Sequence, residues 1–263
     1  MLSTVDVPTS DGTADAYLVQ PDQPDLDQHQ GPDQPGPLPA VLFYMDAFGL
    51  RPQLAEMAER IAAAGFVVLV PNVLYRHGRA PLVDVVNLMR PENRAHMFDQ
   101  LGPMMASLTP ELAMRDIEAY VDYLTAQPSV AAGPIGTTGY CMGGALSLRA
   151  AGQLPDRVAA AASFHGGRLA TDAADSPHRL ADRISAELYL GHADADHSMP
   201  AEQIELLEHS LDAAGVTYGS EVYRGAVHGF TMADTAAYDE SATERHWTAL
   251  LELLDRRLHP AAA

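Results

Sequence analysis

Two uninterrupted apolar runs, Ala40–Met45 (AVLFYM) and Phe66–Val70 (FVVLV), restrict the fold more than any other feature of this chain. Strands that are apolar on both sides must be covered on both faces, the condition met by a parallel sheet packed between helices. Between them, Leu54–Ala64 repeats apolar residues at helical spacing and stops at Gly65, a residue suited to ending a helix. The alternation continues with Ile117, Val121 and Leu124 at helical spacing, followed by a strand at Pro134–Thr138. Further strands are expected at Val158–Phe164, Glu187–Gly191 and Ser220–Tyr223, and helices at Ala201–Ala214 and Ala237–Leu258. At the front, Thr4–Pro8 and Ala14–Val19 flank Asp11-Gly12 and read as a hairpin. The whole predicts an α/β fold, a doubly wound, mostly parallel sheet with helices on both faces.

At 263 residues the chain suits one domain, 1–263, with a core that needs no covalent staples. Residues 21–37 are rich in Pro, Asp and Gln and are expected to form a solvated loop. Residues 76–110 break the rhythm with Met, Pro and His and are a candidate lid over the site. A net charge of -19 argues against nucleic acid or an anionic membrane as partner, because like charges repel. Nor does any apolar run approach the roughly 20 residues of a membrane span. The first residues, MLSTVDVPTSDG, lack the basic and apolar stretches of a secretory signal. A single cysteine fits a reducing compartment, and the expected location is the cytoplasm.

That cysteine carries the chemistry. Gly139-Tyr140-Cys141-Met142-Gly143 lies between a predicted strand and a predicted helix, with small residues two before and two after the centre. This is the pattern of a nucleophile elbow, in which a sharp turn lifts the central side chain above the sheet. The helix that starts there favours negative charge, both on a thiolate and on a developing oxyanion. Of 11 histidines, His228 in Val227-His228-Gly229-Phe230 follows the last predicted strand, the base's place in the order nucleophile, acid, histidine. His165 and His192 sit near strand ends but not in that position. The acid lies after Gly191, where Asp194 fits by counting forward from the glycine and Asp196 by counting back from Pro200. Asp196 is favoured, because the helix start is the more rigid reference.

The cysteine elbow, the Asp46-Ala47-Phe48-Gly49 turn, Pro71-Asn72 followed by Tyr75-Arg76, and the Val227–Phe230 loop together resemble the dienelactone hydrolase family of α/β-hydrolases. The resemblance runs in order from about residue 5 to 258, with 21–37 as an insertion. It implies a Cys-His-Asp triad that hydrolyses small-molecule esters or lactones through a thioester acyl-enzyme, with neither cofactor nor metal. It also implies that an acid at Asp46, often glutamate in the family, holds the resting thiol. Backbone N–H groups of Met142 and Ala47 are expected to form the oxyanion hole. Arg76 resembles one of two arginines that grip a substrate carboxylate in relatives acting on dienelactone. Met232 stands where the second is expected, so dienelactone itself is not the expected substrate. A general carboxylesterase and a catalytically silent binding protein of the same fold are the alternatives. A dithiol redox role lacks a resolving cysteine.

Overall fold

A computed structural model describes residues 1–21, 36–94 and 96–259. Its strands are β1 (Leu2–Thr9), β2 (Gly12–Val19), β3 (Ala40–Tyr44), β4 (Val67–Pro71), β5 (Ile135–Tyr140), β6 (Val158–Phe164), β7 (Glu187–Ala193) and β8 (Tyr218–Tyr223). The helices are α1 (Pro52–Ala63), α2 (Val85–Leu88), α3 (Pro91–Arg94), α4 (Met97–Ser107), α5 (Pro110–Thr125), α6 (Met142–Gln153), α7 (Ala201–Ala214) and α8 (Glu240–Leu258).

The strands form one eight-stranded sheet in the order β1-β2-β4-β3-β5-β6-β7-β8. The β1–β2 and β2–β4 pairs are antiparallel and every other pair is parallel. This is the mostly parallel α/β-hydrolase architecture that the alternation predicts. All five residues of β3 and all five of β4 are buried, as continuous apolar runs require. Successive residues of β5 show how the two faces are covered. Gly136 lies under Leu254 and Leu258 of α8, whereas the Thr137 hydroxyl bonds Ser147 of α6 at 2.8 Å. Adjacent strand residues point to opposite faces, so α8 and α6 cover opposite sides of the sheet.

Several boundaries move by a few residues from expectation for local reasons. Helix α1 starts at Pro52, whose missing N–H costs nothing in a first turn. Helix α8 starts at Glu240 rather than Ala237, because the Asp239 carboxylate accepts the Ala242 N–H and fixes the cap there. The proposed solvated loop at 21–37 lies almost wholly outside the described residues.

Within 76–110 the chain makes three short helices instead of one periodic element. Leu82, Val83, Val85, Leu88, Met97, Leu101 and Met105 cluster there with Ala47, Phe48 and Met142. This segment therefore packs on the turn after β3 and on the start of α6. Among the described residues, no helix is long and apolar enough to cross a membrane.

Candidate active site

Strand β5 ends at Tyr140, and α6 begins at Met142, which leaves Cys141 alone to turn the chain. Its backbone sits at φ 55°, ψ -118°, in a region that side-chain-bearing residues rarely occupy. The flanking glycines are a steric requirement. A Cβ on Gly139 would stand 1.9 Å from the Gly143 carbonyl oxygen, and one on Gly143 would stand 2.4 Å from that of Tyr44. The thiol emerges half-buried at the carboxyl edge of the sheet, the edge where open α/β folds bind ligands.

His228 leaves the loop after β8, and this loop is anchored by its neighbours. Phe230 is fully buried and stacks on Tyr223 at 4.9 Å. Thr231 bonds His165 at 2.8 Å. His228 Nδ1 lies 2.6 Å from Asp196 Oδ2, in a loop following β7. Cys141 is close enough to raise the proton affinity of the ring; with Nδ1 engaged, Nε2 is the nitrogen left for sulfur. Burial works against a charged ring here, but Asp196 and Cys141 outweigh it and push His228 up to about 10. Asp196 is itself buried, which disfavours its charge. Hydrogen bonds from His228 and Ser198 nonetheless hold it below the usual carboxylate value.

The two aspartates left open by the sequence have separate surroundings. Asp194 Oδ2 accepts the Gly225 N–H at 2.9 Å, and the Asp194 N–H donates to Ala226. It braces the turn after β8, and Asp196 is the one against the histidine.

Ser198 escaped the sequence reading. Its N–H and hydroxyl both donate to Asp196 Oδ1, at 2.8 and 2.7 Å, and its Oγ stands 3.2 Å from His228 Nδ1. The Asp-x-Ser spacing of an Asx turn is a signal that could have found it.

His165 packs edge-on against His228, with ring centroids 5.1 Å apart. Burial, followed by the positive charge on His228, holds it far below the usual histidine value, so it is neutral. His192 is buried and, for the same first reason, pushed down to about 4.

Met142 is the first residue of α6, and its N–H has no acceptor within the helix. Ala47 lies in the turn after β3, where Gly49 N–H donates to Asp46 O and Phe48 N–H donates to Asp46 Oδ1. The Ala47 N–H has no protein acceptor among the described residues. Both donors thus remain available at the elbow.

Two of the expected site residues are engaged by other side chains of the protein. Asp46, expected to hold the resting thiol, is bonded to Arg51 and to its own turn. Its oxygens accept Arg51 Nη1 at 2.7 Å and Nη2 at 2.9 Å, besides the Phe48 N–H. A buried two-pronged arginine is a stronger partner for a carboxylate than a neutral thiol. Sequence reading could not see it, because Arg51 owes its orientation also to Asp234, 183 residues away.

Arg76, expected to bind a substrate carboxylate, is paired with two carboxylates of the protein. Its Nη1 and Nη2 grip Asp116 at 2.6 and 3.0 Å, and its Nε and Nη2 reach Asp11. Asp116 is only 1 % exposed, and a carboxylate that deep needs a cation. The other named position, Met232, is buried with its sulfur 3.4 Å from Arg51 Nη2.

Comparison with known proteins follows the same lines. Residues 28–258 match the dienelactone hydrolase family. A candidate carboxymethylenebutenolidase from Synechocystis is 28 % identical over 227 residues, covering 85 % of this chain and 88 % of the relative. The crystal structure of a candidate dienelactone hydrolase from Klebsiella pneumoniae superposes with a TM-score of 0.80 at 21 % identity, covering 97 % of this chain and 98 % of the other. A dienelactone hydrolase-like promiscuous phosphotriesterase from metagenomic libraries superposes at 0.74 with 26 % identity, covering 98 % of both chains.

Proposed function

Given that the chain belongs to the dienelactone hydrolase family, and so is a hydrolase acting on ester or lactone bonds, we propose that it cleaves them through Cys141, with His228 as base and Asp196 as the acid orienting it. The observation that carries this reading is the approach of Asp196 Oδ2 to His228 Nδ1 at 2.6 Å, with Cys141 at the elbow close enough to raise the proton affinity of that ring.

His228 takes the thiol proton, and the sulfur attacks the substrate carbonyl, whose π electrons move onto oxygen. The N–H groups of Met142 and Ala47 donate to that oxyanion, a stabilisation of about 3 kcal/mol per donor. When the carbonyl reforms, the alkoxide leaves with the proton held by His228, and a thioester remains on Cys141. His228 then deprotonates water, which attacks the thioester. The acid departs as sulfur recovers its proton. Asp196 keeps Nδ1 protonated throughout, so Nε2 always faces the reaction.

The substrate we propose is a small uncharged ester or lactone, since Arg51 and Arg76 are both committed to carboxylates of the chain. An activated ester with a slow-leaving acyl group should add the acyl mass to the intact protein at Cys141. Turnover with no mass on Cys141 would end the thioester reading.

A further inference from the structure

Arg51 stands at the start of α1 with its side chain only 7 % exposed, and its guanidinium is fully occupied. Nη1 donates to Asp46 Oδ1 at 2.7 Å and to the Gly49 carbonyl at 3.2 Å. Nη2 donates to Asp46 Oδ2 at 2.9 Å, with Asp234 Oδ1 at 3.3 Å and Met232 Sδ at 3.4 Å beyond it. Nε donates to Asp234 Oδ2 at 2.6 Å. The side chain also lies against the Phe48 ring, 5.4 Å from its centroid.

These partners belong to two loops only. Asp46, Phe48 and Gly49 form the turn that holds the Ala47 N–H, whereas Met232 and Asp234 belong to the loop that carries His228. We infer that Arg51 is a positioning residue for catalysis, a clamp that sets the Ala47 N–H against the sulfur and histidine by locking the oxyanion turn to the histidine loop.

The inference rests on the proposed hydrolytic reading and adds to it the part that fixes the second oxyanion donor. The chemistry of the residue suits the task. A guanidinium is planar and presents five donors in a rigid fork, so it fixes both the distance and the angle between two carboxylates. Lysine would keep the charge and lose the geometry. Burial opposes the charge on Arg51, but Asp46 and then Asp234 outweigh it, so the guanidinium stays protonated. An oxyanion donor acts only when placed within hydrogen-bond reach of an atom that exists only in the transition state. A shift of about 1 Å in such a group can cost about a hundredfold in rate.

The experiment compares wild type, Arg51→Lys and Asp234→Asn on one activated ester and on an alkyl trifluoromethyl ketone. The ketone carbonyl adds the Cys141 sulfur reversibly, forming a C–S bond and placing the carbonyl electron pair on oxygen, so its affinity reads the oxyanion donors. Both variants should lose tenfold or more in kcat and the same factor in ketone affinity, with KM within about twofold of wild type. Alkylation of Cys141 by iodoacetamide, which needs no oxyanion donor, should keep its rate.

Should Arg51→Lys fail to fold, Asp234→Asn alone decides, since Asp234 is 30 % exposed and its loss leaves Arg51 paired with Asp46. A rise in KM with kcat unchanged overturns the assignment. So does a fall in iodoacetamide reactivity that matches the fall in kcat, or variants that turn over like wild type. A wild type that neither hydrolyses the ester nor binds the ketone instead overturns the hydrolytic reading, and the role of Arg51 with it.

Discussion

His228 and Asp196, separated by 32 residues in sequence, meet at 2.6 Å between Nδ1 and Oδ2. The pair orients a ring whose other nitrogen is left for the only cysteine in the chain.

Replacing that sulfur tests the nucleophile most directly. Cys141→Ala should abolish ester and lactone hydrolysis while leaving the fold intact, because alanine removes only the sulfur from the elbow. Cys141→Ser should be a poor enzyme, since an alcohol needs a stronger base than a thiol does. Initial rates with an aryl ester and a simple lactone check both. More than trace turnover by the alanine variant would place the nucleophile elsewhere.

The aspartates should behave differently when each is changed to asparagine. Asp196→Asn should lower kcat by about 10³- to 10⁴-fold, because the amide supports the wrong histidine tautomer. Asp194→Asn should stay within a few-fold of wild type and lower the melting temperature slightly, as it weakens the brace on Gly225. A crippled Asp194→Asn beside a nearly normal Asp196→Asn would reverse the assignment.

The elevated proton affinity of His228 has two consequences. Its folded value of about 10 exceeds the ordinary 6.5, so folding favours the protonated ring. The stability it contributes is complete below about pH 6.5 and is lost as the pH rises through about 10. Asp196 acts in the opposite window: its contribution is present above 3.8 and lost as the pH falls through its lowered value. Part of the His228 elevation comes from sulfur. In Cys141→Ala the His228 ring, followed by NMR, should therefore titrate well below its wild-type position. An unchanged titration would mean that Cys141 has no part in the elevation.

For Arg76 the expected loss is in stability. Arg76→Ala leaves the Asp116 carboxylate buried without its cation, at a cost of about 3 kcal/mol. Denaturant melts should show this, and Arg76→Ala/Asp116→Asn should recover part of it. The KM ratio between a neutral ester and a matched carboxylate-bearing ester should not change. A selective rise for the carboxylate ester would restore a role in recognition.

Most of the sheet was legible because buried parallel strands write themselves as apolar runs; β3, β4 and β6 fall within a residue or two of expectation. The elbow was legible for a steric reason, since only glycine fits at positions 139 and 143. The acid was not, because Asp194 and Asp196 share one loop and differ only in which neighbours that loop meets. Arg51 and Arg76 were opaque for a related reason. Apart from Asp46, five residues before Arg51, their partners lie 183, 65 and 40 residues away, and no local pattern says which carboxylate a cation will find. The helices between residues 85 and 107 escaped because two of them, four residues each, are too short to establish a period.

The order of strands also sets a schedule for synthesis. Cys141 follows β5, in the middle of the sheet, but His228 follows β8, which lies at one edge and is the last strand among the described residues. A nascent chain can therefore form the elbow while the residues that would activate its sulfur are still to be translated. Until the loop after β8 has left the ribosome, the thiol cannot have His228 beside it. The grouping of Asp196, His228 and Cys141 is assembled only after all eight of the described strands have been made.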